Sequence, residues 1–152
     1  MLKIKEVLTD KGHTIWSISS KETVYKALEM MAEKNIGALL VIDEGALMGI
    51  FSERDYARKV ILKGKSSRQT TVGDLMTKDV YSLTPDMTVE EGMALMTKAH
   101  CRHMPVFDMN KLAGVITIGD IATALIAHQK VKISDLEHYI TGSEINAFDD
   151  NH

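Results

Sequence analysis

The chain has 152 residues and a formal net charge of −3, with 45% hydrophobic, 26% charged and 5% aromatic residues. That balance describes a globular chain, offers no electrostatic case for nucleic acid and contains no apolar run long enough to span a bilayer. The one cysteine, Cys101, excludes an intrachain disulfide and fits a reducing compartment. Residues 1–6 lack the apolar core of a signal peptide, so the expected location is cytoplasmic.

In chain order, Ile4 to Leu8 predicts a helical turn or two, and Ile15-Trp16-Ser17-Ile18 a short strand. Val24, Ala27, Leu28, Met31 and Ala32 fall at helical spacing, which predicts an amphipathic helix over Thr23 to Lys34. Ser20 or Thr23 can cap its start, and Asn35-Ile36-Gly37 closes it with residues that tolerate a left-handed backbone. Two apolar runs, Ala38 to Ile42 and Leu47 to Phe51, flank the turn signal Asp43-Glu44-Gly45 and predict a hairpin. Glu53 to Leu62 reads as helix, and the polar, basic stretch from Lys63 to Thr70 as a linker. The same order then recurs. Val80 to Leu83 predicts a strand, Val89 to Lys98 a helix opened by Pro85 and Asp86, His103–Phe107 with Leu112–Ile116 a hairpin, and Ile118 to Ala127 a closing helix. Ile133 to Tyr139 is predicted as one more helix, and Thr141 to His152, acidic and thin in large apolar residues, as a fraying tail.

The recurrence is a tandem repeat. A slide of 65 residues lays Thr23-Val24 on Thr88-Val89, Val41 on Val106, Asp43 on Asp108 and Ile61 on Ile126. The helices before each copy match at 68 instead, Ile4–Leu8 against Val72–Met76, so the first copy carries about three extra residues around Asp10 to His13. Units of about 60 residues are marginal alone, and the two copies are expected to share a core.

Two aligned stretches carry the chemistry: Gly49-Ile50-Phe51-Ser52-Glu53-Arg54-Asp55 and Gly114-Val115-Ile116-Thr117-Ile118-Gly119-Asp120. Each ends a strand with a hydroxyl at the start of a helix, where unpaired backbone N–H groups favour an anion. An Asp follows three residues on, placed to accept from vicinal ribose hydroxyls. Ser/Thr-x-x-Asp also matches a helix-capping box, and capping and ligand binding are compatible.

These paired Gly-x-x-Ser/Thr-x-x-Asp stretches, each after an apolar hairpin strand ending Val-x-Asp, resemble the CBS domain, together with Asp-Leu-Met-Thr at 74–77 and Arg-His-Met-Pro-Val at 102–106. The resemblance covers residues 1–130. It implies an α/β (α+β) fold of two tandem β-α-β-β-α CBS units forming one pseudo-twofold module, packed through their sheets with two clefts between them. The expected divisions are 1–66 for the first unit, N-terminal helix included, 67–130 for the second, and 131–152 for a C-terminal helix and acidic tail. It further implies a stand-alone regulatory module for an adenine ligand (AMP, ADP, ATP, NAD or S-adenosylmethionine) that homodimerises as a disc and acts on a partner protein not identified by sequence. No membrane or nucleic-acid partner and no catalytic cofactor are implied.

Carried over residue by residue, the resemblance implies one site from Ser52, Arg54, Asp55, Val80, Tyr81, Ser82, Arg102, His103, Met104 and Pro105. The other takes Thr117, Gly119, Asp120, Ile15, Trp16, Ser17, Gly37 and Ala38. The first holds Arg54, Arg102 and His103, with Arg58 and Lys59 near in sequence, whereas Gly119 and Ala38 stand at the matching places of the second. The Asp55 site is therefore expected to hold a phosphorylated ligand more tightly. Tyr81 and Trp16 match, and either can touch a base or simply pack.

Other signals are weaker. Gly64-Lys65-Ser66 lacks the earlier glycine of a phosphate loop, since Lys59 stands there. His100-Cys101-Arg102-His103 has no second ligand pair nearby for a metal, and Cys101 has no orienting partners for nucleophilic work. An enzyme is disfavoured. The alternative to a ligand sensor is a ligand-independent interaction scaffold for a partner protein.

Overall fold

A computed structural model describes residues 1–140. The elements are α1 (Ile4–Lys11), β1 (Ser17–Ile18), α2 (Val24–Lys34), β2 (Ala38–Asp43), β3 (Ala46–Ser52), α3 (Glu53–Asp55), α4 (Val72–Leu75), α5 (Val89–Ala99), β4 (His103–Asp108), β5 (Lys111–Thr117) and α6 (Ile118–Ile140). A π-helical stretch, Tyr56–Ile61, continues α3. The mixed α/β architecture is the expected one. In the first sheet β1 lies parallel to β2, and β2 pairs antiparallel with β3; the second sheet is the β4–β5 hairpin.

The copies agree in fine detail. Each hairpin slips register at the matching point, between Val41 and Ile42 and between Val106 and Phe107. Each turns on two residues of positive φ, Glu44 (49°) and Gly45 (80°), then Met109 (49°) and Asn110 (66°), the turn whose twist matches that of the flanking strands. The Thr23 hydroxyl accepts from the Lys26 N–H and the Thr88 hydroxyl from the Glu91 N–H, starting α2 and α5. Both helices end on a left-handed residue, Asn35 and His100. Their inward faces recur at helical spacing: Val24, Ala27 and Met31, then Val89, Gly92 and Met96.

The structure departs from the sequence reading in three elements. Val80 to Leu83 is not a strand; one parallel bridge, Leu83 to Val106, survives. In the first copy the Leu40 N–H donates to the Trp16 carbonyl, but position 105 is proline and has no N–H to donate. Residues 53–62 form a short α-turn and then π-helix, with the Leu62 N–H donating to the Ala57 carbonyl; over so few residues an apolar pattern does not separate the two helix types. The expected separate helix at Ile133–Tyr139 is the continuation of α6, since residues 128–132 contain neither Gly nor Pro to stop it. The expectation for Thr141 to His152 lies outside the described residues.

Two cores form, and the short helices cross between them. Ile4, Val7 and Leu8 of α1 pack with Leu83, Val89, Met96, Met104, Val106, Ile116 and Ile121 of the second copy. Val72 and Leu75 of α4 pack with Ile18, Val24, Leu39, Val41, Phe51 and Val60 of the first. Sequence adjacency assigns α1 to residues 1–66, but its apolar face lies in the core of the other unit. Matching bridges mark the crossing, Lys3 to Thr88 and Thr23 to Thr71. Each unit is thus completed by the helix that precedes the other.

Candidate ligand clefts

The ends of β3 and β5 deliver the two repeated motifs to two clefts. Ser52 starts α3 with a reciprocal box: its hydroxyl accepts from the Asp55 N–H at 3.2 Å, and Asp55 Oδ2 accepts from the Ser52 N–H at 3.0 Å. Asp55 is buried, 7% exposed, and its other oxygen, Oδ1, is also engaged. Thr77 Oγ1 donates to it at 3.1 Å, and Lys59 Nζ lies 3.1 Å away. Lys59 also donates to the Leu75 carbonyl. A buried carboxylate is thereby hydrogen-bonded and paired, as its burial demands.

Thr117 and Asp120 repeat the box at 3.0 and 2.8 Å, but the ammonium comes from elsewhere. Lys11, at the end of α1, lies 2.6 Å from Asp120 Oδ2 and donates to the Val115 carbonyl. His13 Nδ1 holds the Ala113 carbonyl at 2.9 Å. The extra residues of the first copy therefore reach the second motif. Burial pushes the Asp120 carboxyl up, but Lys11 and the Thr117 N–H outweigh it and leave the pKa below the ordinary value.

The first cleft, about 790 Å³, is lined by Ser52, Glu53, Arg54, Asp55, Arg58, Lys59 and Thr77 from one side and by Ala99, His100, Cys101, Arg102 and His103 from the other, with Gly37, Ala38 and Ile50 between. Four cationic and two anionic side chains give its wall a formal charge of +2. The Arg54 guanidinium donates across it to the His100 carbonyl. Burial raises the Cys101 thiol pKa, with Arg54 opposing, so the thiol stays protonated near neutrality. The second cleft, about 480 Å³, has Lys11, Thr14, Trp16, Thr117, Gly119 and Asp120 in its wall, again with Gly37, Ala38, Arg102 and His103. Lys11 and Arg102 against Asp120 give a formal charge of +1. Trp16 is 40% exposed there, and the Lys34 ammonium lies 4.5 Å over its ring.

Of the residues assigned to the first site, Ser52, Arg54, Asp55, Arg102 and His103 line its cleft, while Val80, Tyr81, Ser82, Met104 and Pro105 do not. Met104 is fully buried in the second core, because strand alternation turns it opposite to His103; Pro105 is buried beside it. Tyr81 and Ser82 are exposed on the segment that failed to join the sheet. Of those assigned to the second site, Thr117, Gly119, Asp120, Trp16, Gly37 and Ala38 line the cleft, and Ile15 and Ser17 do not. The sequence reading divided Gly37 and Ala38 from Arg102 and His103, one pair per site. All four line both clefts. Thr77 and Lys11 were missed; the insertion near Lys11 was visible, but not where it folds.

Two repeated α/β units meeting along two clefts, each completed by a crossed helix, define a tandem-repeat module. The chain belongs to the CBS domain family, whose profile matches residues 4–61 and 72–127. It is 38% identical over 149 residues to a mitochondrial CBS domain-containing protein of Arabidopsis thaliana, covering 91% of this chain and 72% of that one. A putative signal-transduction protein with CBS domains from Burkholderia ambifaria superposes with a TM-score of 0.81 at 45% identity, over 84% of this chain and 96% of that one. A CBS domain pair solved with 5′-methylthioadenosine and S-adenosyl-L-methionine matches with a TM-score of 0.74 at 25% identity, over 84% of this chain and 98% of that one. Such pairs are typically regulatory modules. Among the described residues no helix is long and apolar enough to cross a membrane.

Proposed function

We propose that the chain is a regulatory module that takes an adenine nucleotide into the clefts between its CBS units and relays occupancy to a partner protein. The observation that carries this reading is the first cleft, where Arg54, Arg58, Lys59 and Arg102 stand around the Ser52–Asp55 helix start. Cations beside a helix N-terminus suit phosphate, and Asp55 is the acid for ribose hydroxyls. The adenosine-containing ligands of the relative at 25% identity support the class. Its larger volume and charge of +2 against +1 favour the first cleft for AMP, ADP or ATP; the second suits a less anionic ligand such as S-adenosylmethionine. Ile61 and Leu62 in the first unit and Ile126, Ile133 and Leu136 on α6 are exposed, and this apolar set is the proposed homodimer surface.

A thermal-shift panel with AMP, ADP, ATP, NAD, NADH and S-adenosylmethionine tests the reading. A ligand at about a hundred times its dissociation constant adds about 2.7 kcal/mol to the native state, several degrees for a chain of this size. A shift with AMP that Asp55→Asn removes and Asp120→Asn retains is the expected result. The full engagement of both Asp55 oxygens by Ser52, Thr77 and Lys59 favours a second reading, in which the motif is purely structural and the module a ligand-independent scaffold. No shift with any ligand would decide for it.

A further inference from the structure

The two clefts meet at a single wall. Gly37 and Ala38 of the first unit face Arg102 and His103 of the second, and all four border both spaces. These pairs are repeat equivalents, 65 residues apart, so the pseudo-twofold axis passes between them. A Cβ on Gly37 would stand 3.5 Å from His103 Cε1 and Nε2, at ordinary contact distance, so the imidazole lies directly beside the glycine. One basic wall therefore serves two clefts. Arg102 is exposed, and it takes no part in the ion pairs found among the described residues. Burial, Lys11 and Arg102 depress the His103 pKa despite Asp120, so near neutrality the charged group of the wall is the guanidinium.

We propose that the two clefts are negatively coupled for anionic ligands because both draw on the one guanidinium of Arg102. The proposal rests on the reading that the clefts take adenine nucleotides. An anion in the first cleft engages Arg102 and places its own charge against the wall. An anion arriving on the other side then meets a cation already neutralised and a like charge one side chain away, inside the screening length of about 8 Å at physiological salt. Both effects weaken the second binding event, and reciprocity makes the coupling equal in the other direction. An uncharged nucleoside feels neither.

The chain has one tryptophan, and Trp16 lines the second cleft, so its fluorescence reports that cleft while calorimetry counts total sites. The full-length protein is titrated with AMP and with adenosine, with the first cleft intact or blocked by Asp55→Asn; Arg54→Glu is the block if Asp55→Asn still binds two AMP. The expected result is that blocking the first cleft tightens AMP at Trp16 by about tenfold, a typical coupling. The same block leaves adenosine unchanged, and its effect on AMP shrinks in an Arg102→Gln background, where only the like-charge repulsion remains. One AMP but two adenosines per intact chain is the strong-coupling limit and also supports the proposal. An unchanged AMP affinity at Trp16, an equal gain with adenosine, a gain that is undiminished in Arg102→Gln, or one site for each ligand overturns it. Absence of calorimetric binding for both ligands defeats the nucleotide reading itself, and the coupling falls with it.

Discussion

His103 holds a ring that burial keeps from its charged form, with Lys11 and Arg102 adding repulsion. A base whose folded pKa lies below its unfolded value of 6.5 takes up its proton more readily in the unfolded chain. Stability is therefore full above that value, and is lost as pH falls from it toward the folded pKa. His103→Gln should flatten part of the fall in melting temperature as the pH drops below about 6.5; an identical acid slope in both proteins would refute the assignment. Asp55 poses a different problem at the same scale, because it caps a helix as well as facing a cleft. Asp55→Ala removes the acceptor for Ser52, Thr77 and Lys59 together and should cost about 1–2 kcal/mol, measured by urea unfolding. Asp55→Asn keeps an acceptor oxygen and should cost less. If Asp55→Ala costs nothing measurable, the carboxylate's hydrogen bonds do not hold this turn.

At the scale of elements, the glycine that opens each motif has a packing role. A Cβ at Gly49 would stand 2.6 Å from the Thr77 carbonyl oxygen and 2.9 Å from Met76 Sδ, whereas one at Gly114 would meet Leu8 Cδ1 at 2.5 Å. Both place the middle of a hairpin strand against the segment that crosses from the other copy. The obstacles differ in kind: Thr77 is backbone, bridged to Ile50 in both directions, while Leu8 offers the end of a side chain. Gly49→Ala is therefore expected to cost about 1–3 kcal/mol by overpacking, and Gly114→Ala less. Equal denaturation midpoints for the two would show that the crossing segments yield alike. The missing strand at Val80 to Leu83 belongs here too. A pattern of apolar residues predicts it, but the partner strand carries Pro105 in place of the Leu40 donor, and pairing needs both sides.

For the whole molecule, the crossing of α1 and α4 makes the two units depend on each other. Ile4, Val7 and Leu8 are at most 3% exposed, and burial at about 1.5–3 kcal/mol each approaches the net stability of a domain, about 5–15 kcal/mol. Deletion of residues 1–12 should therefore unfold the second unit although it removes none of that unit's own sequence. Circular dichroism and limited proteolysis would read this as loss of residues 72–127. Retention of a protected second unit would mean that its core closes without α1. The intact chain should melt in one transition, because neither core is complete alone.

Much of the chain is legible without coordinates because its signals are local. The spacing of Val24, Ala27 and Met31, the cap at Thr23, the turn at Asp43-Glu44-Gly45 and the 65-residue repeat follow from periodicity and backbone preference alone, whereas the second helix is capped by Thr88 and not opened at Pro85 and Asp86. With the repeat comes the family, and with the family the motif residues Ser52, Asp55, Thr117 and Asp120. Position across the pseudo-twofold axis is another matter. That α1 closes the second core, that Lys11 reaches Asp120 and that Arg102 and His103 wall both clefts depend on contacts between residues far apart in sequence. Linear adjacency places α1 with the first copy and does not show that its apolar face fills the other core, and reading one motif at a time deals Arg102 to one site. Only the tertiary structure decides these, because a shared boundary exists only once two copies face each other.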